Sequence, residues 1–208
     1  MDVVDLIMVR HGRAAGIDGR CIGHTDVPLS PEGHSAIDRL ASHWNAQVAV
    51  GRGSVPAHII SSDLSRAHES ALAIAAPWGL PVQRDARLRE VDFGEWDGRA
   101  WADIEREDGA ALRAWMDAWQ TARPPGGESL DDLLARASDW LREFRGTERA
   151  TPTVVVSHAG WIRALLTVVF GRHRDAFFEL DVDYARVTGV RWSGDAVSIL
   201  AKNASLFP

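Results

Sequence analysis

The chain has 208 residues, enough for one sizeable domain. Hydrophobic residues make up 46% and charged residues 25%, the balance of a globular protein with a substantial core. A net charge of -6 argues against a general binder of nucleic acid or of an anionic membrane surface. Cys21 is the only cysteine, so no intrachain disulfide and no cysteine cluster for zinc can form, and a reducing, cytoplasmic setting is expected.

The acidic segment Met1 to Asp5 lacks the basic start and long apolar run of a secretion leader. No apolar stretch reaches membrane-spanning length. Val4 to Val9 then reads as a buried strand, delivering Arg10, His11 and Gly12 at its carboxyl end. In open α/β sheets ligands gather at such ends. Arginine holds a phosphate with a planar fork of donors, and an imidazole beside it is a candidate nucleophile toward an anionic substrate. Residues 10–29 read as a long, glycine-rich loop, a length more often functional than structural.

Ser30-Pro31-Glu32 carries the marks of a helix start: a capping hydroxyl, proline at the first position and an acid in the first turn. Ala36, Ile37, Leu40, Ala41 and Trp44 follow at helical spacing. His58 to Ser61 is predicted as the second strand, with a helix from Ser65 to Trp78 stopped by Gly79, and Val82 begins a third extended segment. Arg66 sits at that helix's amino end, where free N–H groups favour an anion. Leu88 to Trp96 is a loop dense in carboxylates, with Glu90 the candidate acid and Asp92 and Glu95 close by.

Ala100 to Gln120 reads as one or two helices with a break at Asp108-Gly109. Asp131 to Phe144 shows one apolar face. Thr153 to Ser157 is a β-branched strand, followed by His158-Ala159-Gly160 and a helix from Trp161 to Phe170. Ala185 to Trp192 and Ala196 to Ala201 form a predicted hairpin about Ser193-Gly194-Asp195. Strands alternating with helices imply an α/β fold, a three-layer α/β/α sandwich with a mostly parallel sheet and an antiparallel edge. Residues 95–130 would form a small helical cap over the site.

A parallel sheet brings strand ends together, so two arginines and two histidines would converge on one tetrahedral anion. An alkoxide is a poor leaving group, so a nearby acid such as Glu90 would matter for ester cleavage. The histidines lack the close paired spacing of a zinc site, and no glycine–lysine–hydroxyl loop for nucleoside triphosphates is present.

Four stretches, in this order, resemble the histidine phosphatase superfamily: Arg10-His11-Gly12, Ser62 to Ala67, Glu90 through Trp96, and Val156 to Gly160. The resemblance covers nearly the whole chain and implies one such domain over residues 1–208. It implies that His11 is the nucleophile and forms a phosphohistidine, and that Arg10, Arg66 and His158 hold the phosphoryl oxygens. It further implies that Glu90 protonates the leaving alcohol and then activates water. No metal or other cofactor is implied, and the partner is a small-molecule phosphate ester acted on by a monomer or homodimer.

Gly19-Arg20, the run Gly23 to Ser30 and the segment from Trp115 to Ser129 resemble the alpha-ribazole phosphatase group. His24 and Thr25 are substrate-binding candidates that either line the pocket or brace the loop. Arg13-Ala14 stands where many relatives carry an acid–hydroxyl pair, a departure that speaks against mutase chemistry. The alternatives are a phosphoglycerate mutase, or a weakly catalytic module that binds a phosphate ligand on the same scaffold.

Overall fold

The structure is a computed structural model that describes residues 3–146 and 152–205. Met1 and Asp2 of the acidic amino-terminal segment therefore lie outside the described residues.

Six strands form one sheet: β1 (Val3–Arg10), β2 (His58–Ser61), β3 (Val82–Arg84), β4 (Thr153–Ser157), β5 (Val187–Ser193) and β6 (Ala196–Ala204). Their spatial order is β3-β2-β4-β1-β5-β6. The first four are parallel to one another, while β5, antiparallel to β1, and β6 add an antiparallel edge. The helices are α1 (Pro31–Ala49), α2 (Ser65–Ala75), α3 (Trp101–Asp117), α4 (Leu130–Gly146) and α5 (Ala159–Phe170). Among the described residues no helix is long and apolar enough to cross a membrane.

Strand alternation divides the core into two layers. Leu6, Met8 and Val155 pack under α4 and α5, against Leu133, Trp140, Trp161 and Leu165. Their strand neighbours Ile7, Val9, Val154 and Val156 pack on the opposite face, against Ile37 and Leu40 of α1 and Ala71 and Ile74 of α2. Each fully buried aliphatic side chain contributes about 2 kcal/mol. A third, smaller core joins Cys21, Trp96, Ile104 and Leu112 with Phe93, Trp101 and Trp115. Burial pushes the Cys21 thiol up to about 12, so this cysteine is a packing residue.

Local chemistry explains the boundaries. Ser30 caps α1 by accepting the Gly33 N–H at 3.1 Å. The predicted helix from Ser65 ends as α-helix at Ala75, because Pro77 has no N–H to donate, and its last turn tightens to a 3₁₀ turn at Ala76–Trp78. Trp101 to Asp117 is one helix with a kink at Asp108, whose backbone (φ -121°, ψ 23°) leaves the helical region. Helix α5 starts two residues earlier than expected, directly after His158.

Candidate active site

Strand register sets the centre of the site. Arg10 is aligned with Ser157 across the parallel β1–β4 pair, and the His11 N–H extends the ladder by donating to the Ser157 carbonyl at 3.0 Å. The residues that follow these two strand ends, His11 and His158, must therefore emerge side by side. Their rings lie 4.8 Å apart, centroid to centroid, at 62°. Strand β2 ends beside β4 and leads into α2, which carries Arg66 in its first turn.

The His11 ring is buried, and its Nδ1 lies 2.6 Å from the Gly12 carbonyl oxygen. A carbonyl only accepts, so Nδ1 carries the proton in this contact, and in the neutral ring Nε2 keeps its lone pair. Burial holds the His11 imidazole well below its ordinary value, and the Arg66 and Arg10 charges add to that. The site thus favours a neutral imidazole with one fixed tautomer.

His158 has no exposed surface, and neither ring nitrogen has a hydrogen-bond partner among the described residues. Burial, His11 and the two arginines push its imidazole well below the ordinary range. A wholly buried imidazole with both nitrogens unpaired is costly unless something binds there.

The arginines are tethered by carbonyls. Arg66, 1% exposed, donates from Nη1 to the Thr25 carbonyl at 2.9 Å and from Nη2 to the Gly23 carbonyl at 2.6 Å. Burial lowers its guanidinium from the ordinary value, opposed by Glu90, Asp26 and Asp97. Arg10 donates from Nη1 to the Val182 carbonyl at 2.7 Å and lies 3.6 Å from the centre of the Tyr184 ring, while its Nε is buried and unpaired among the described residues.

Three carboxylates competed for the role of acid. Glu90 accepts the Gly160 N–H at the start of α5 (3.2 Å) and its neighbour's Val91 N–H (3.0 Å). A helix amino terminus suits a carboxylate. Gly160 permits the approach, since a Cβ there would sit 2.2 Å from Glu90 Oε1. Asp92 instead accepts the Gly94 N–H in its own turn, and Glu95 is exposed. Of the three, Glu90 alone lines the cavity beside the cluster.

That cavity, about 650 Å³, is walled largely by apolar and aromatic side chains, including Phe93, Trp101, Trp115, Trp119 and Phe178. It meets the cluster through Glu90, Gly160 and Tyr184. Helix α3, within the stretch expected to cap the site, supplies Trp101, Leu112, Trp115 and Met116 to its wall.

His24 and Thr25 are not among the residues lining the cavity, and both are hydrogen-bonded to neighbouring loops. His24 Nε2 lies 3.0 Å from the Glu90 carbonyl oxygen. The Thr25 hydroxyl donates to Asp97 Oδ1 at 2.5 Å. Asp97 Oδ1 also accepts the N–H of Gly23 (3.2 Å) and Thr25 (2.9 Å), and Oδ2 accepts that of His24 (2.5 Å). Although burial opposes it, these bonds hold the Asp97 carboxyl below its usual range. One carboxylate thus turns the N–H groups of residues 23–25 one way, leaving the carbonyls of Gly23 and Thr25 to grip Arg66. Arg13 pairs with Asp18 at the surface, and Ala14 is buried against Leu29 through a β-bridge, so the departure at 13–14 adds no polar group to the cluster.

Sequence reasoning missed Asp97, Tyr184 and Arg136. Arg136 donates to the carbonyls of Arg87 (2.7 Å), Arg89 (2.8 Å) and Glu90 (3.1 Å) and so fixes the strap that carries Glu90. Tyr184 is placed by Ala185, a non-glycine residue at φ +53° whose N–H donates to the Arg10 carbonyl at 3.1 Å. Asp97 had a weak local signal, an acid inside a Trp-Asp-Gly turn.

The model of the histidine phosphatase superfamily (branch 1) matches residues 6–205. The adenosylcobalamin/alpha-ribazole phosphatase of Escherichia coli is 29% identical over 179 residues, covering 86% of this chain and 85% of its own. A glucosyl-3-phosphoglycerate phosphatase of Mycobacterium tuberculosis is 34% identical over 169 residues, covering 77% and 72%. The crystal structure of a putative alpha-ribazole-5'-P phosphatase from Escherichia coli superposes with a TM-score of 0.89 at 25% identity, over 100% of this chain and 99% of that one.

Proposed function

Since the chain belongs to the histidine phosphatase superfamily, branch 1, and is a phosphoric monoester hydrolase, we propose that it cleaves a small-molecule phosphate ester without a metal, through a phosphohistidine on His11. One observation carries the reading. The buried His158, with both ring nitrogens unpartnered among the described residues, faces a His11 whose hydrogen bond to Gly12 leaves Nε2 unprotonated.

In the first step the His11 Nε2 lone pair attacks phosphorus and the P–O bond to the alcohol breaks. Glu90, carrying a proton, delivers it to the departing oxygen. The charge on the phosphoryl oxygens is met by the Arg10 and Arg66 cations and by an N–H of the neutral His158 ring, which together do here what Mg²⁺ does in other phosphoryl transfers. In the second step Glu90, now a carboxylate, takes a proton from water. The resulting oxygen bonds to phosphorus, the N–P bond breaks, and inorganic phosphate leaves with the cycle closed.

Among substrates, alpha-ribazole 5'-phosphate stands first. The Gly23 to Ser30 segment and the similarity to the Escherichia coli phosphatase over most of both chains support it. A glucosyl-3-phosphoglycerate ester is the second reading, supported by the higher identity to the mycobacterial phosphatase. We place the chain's work on a single domain, with the segment from residue 95 to 130 acting as its cap. The test is phosphate release from a panel that includes both esters and 3-phosphoglycerate, with and without EDTA. Hydrolysis unaffected by EDTA is expected. Loss of rate on chelation, restored by added metal, would overturn the metal-free mechanism, and transfer of the phosphate to glycerate in place of water would mark a mutase.

A further inference from the structure

We infer that Tyr184 is a positioning residue for Arg10, acting through the face of its ring, and that Asn203 holds the turn that presents it; the inference rests on the phosphatase reading above.

The two arginines of the cluster are held differently. Arg66 is gripped by two carbonyls. Arg10 has one, that of Val182, which takes Nη1. The rest of its hold is the Tyr184 ring, whose centre lies 3.6 Å from the guanidinium carbon, a distance that only a face-on contact allows. A ring face attracts the cation and fixes its plane without accepting any N–H. The buried Nε is thereby left unpaired among the described residues, free to donate to a phosphoryl oxygen. A carboxylate in the same place would take those donors and cancel the charge that the anion needs.

The turn that carries Tyr184 is fastened at both ends. On one side the Ala185 N–H donates to the carbonyls of Arg10 and His11, at 3.1 and 3.3 Å, so the turn is bound to the backbone of the residues it serves. On the other side Asn203 of β6 makes a two-way contact with Asp183. Its Oδ1 accepts the Asp183 N–H at 2.9 Å, and its Nδ2 donates to Asp183 Oδ2 at 2.9 Å. Its own N–H donates to the Thr188 hydroxyl at 3.2 Å. Asn203 lies where the register between β5 and β6 shifts, the kind of irregularity that re-aims a side chain. Ala185 and Asn203, at φ +53° and +46°, are the non-glycine residues with positive φ among the described residues. Backbone of that kind persists only where the surroundings impose it, and both instances fall in this one assembly.

The experiment compares wild type with Tyr184→Phe, Tyr184→Leu and Asn203→Gly, the last of which tolerates the positive φ while removing the amide. Rates are measured on 4-nitrophenyl phosphate and glycerol 2-phosphate, together with inhibition by orthovanadate, whose five-coordinate adduct resembles the transition state. We expect Tyr184→Leu to lower kcat/KM about 10-fold or more, by the same factor on both esters, and to raise the vanadate Ki in proportion. Tyr184→Phe, which keeps the ring face, should recover most of the loss, and Asn203→Gly should show a smaller loss of the same kind. A lower kcat with an unchanged Ki would mean only a smaller folded fraction and would overturn the inference. A loss in Tyr184→Phe equal to that in Tyr184→Leu would overturn it by placing the role on the hydroxyl. A factor that differs between the esters would overturn it by making Tyr184 a contact for the leaving group. Should Tyr184→Leu fail to fold, Asn203→Gly decides, and an unchanged Ki there overturns the inference. If wild type cleaves no ester the phosphatase reading fails, and calorimetric titration with inorganic phosphate then decides the clamp: affinity must fall in Tyr184→Leu and hold in Tyr184→Phe, and equal affinity in all three proteins overturns it.

Discussion

The strand-end cluster and the cavity beside it touch at Glu90, yet they are built on opposite rules. In the cluster, Arg66, His11 and His158 are polar and almost wholly enclosed, and each is placed by backbone: two adjacent strand ends, one helix start, and carbonyls that grip the arginine. In the cavity the walls are apolar rings on α3, on the loops at Phe93 and Trp119 and on the 3₁₀ turn Arg174–Glu179, several of them part-exposed, and placed by side-chain packing. The difference suggests a division of labour. On the proposed function, backbone topology would fix the chemistry common to phosphate esters, and side chains on connecting segments would fix which ester is used.

Breaking the cluster should cost most. Replacing Arg66 or His158 by alanine is expected to lower kcat on the order of 100- to 1000-fold each, because each removes a charge stabiliser that no neighbour replaces. Replacing Trp115 in the cavity wall by alanine should instead act mainly on KM, by roughly 10-fold. Steady-state kinetics on one ester separates the two. A Trp115 variant that loses kcat as heavily as the Arg66 variant would erase the division.

A smaller effect tests how far the rigid region extends. Asp97 touches no reacting atom but orients the loop whose carbonyls hold Arg66. Asp97→Asn turns one acceptor into a donor facing N–H groups, and kcat/KM should fall about 10- to 100-fold. Asp97→Glu should recover part of it. Activity close to wild type in Asp97→Asn would mean that Arg66 is held without this loop.

The polar core also leaves a mark on stability. Burial, with the neighbouring arginines, holds His11 and His158 well below the ordinary 6.5 in the folded state. Between the depressed folded values and 6.5 the unfolded chain binds more protons than the folded one, so stability rises with pH there. The contribution is complete above 6.5 and is lost as pH falls below it. Thermal melts of the phosphate-free protein from about pH 8 to 5 should show Tm falling below about 6.5, and His158→Gln should flatten part of the slope. Tm unchanged by that substitution across the window would contradict the charge-excluding environment.

Much of this was legible before the structure. The buried strand at residues 4–9 and the β-branched run at 153–157, each leading into a histidine and a glycine within three positions, implied two strand ends on one edge of the sheet, and the capping signals at Ser30 and Gly79 marked helix limits. Arg66 was legible because it follows a strand and opens a helix. What stayed hidden acts across long separations. Tyr184 meets Arg10 from the far end of the chain, Asp97 meets Thr25 across 72 positions, and Arg136 reaches the carbonyls of residues 87–90 from a helix whose sequence shows only an amphipathic face. No local pattern encodes such contacts, since they depend on which loops the sheet folds together. The same reason separates Trp115 and Trp119, visible as cap residues, from Phe177 and Phe178, which complete the wall from a turn beyond α5.

The central claim is that His11 takes the phosphoryl group. Brief mixing with a ³²P-labelled ester, followed by a denaturing quench at alkaline pH and peptide mapping, measures it directly. Wild type should carry label on His11, stable to base and lost in acid, and His11→Asn should carry none while turnover disappears. Label on another residue, or hydrolysis that survives the loss of His11, would contradict the account.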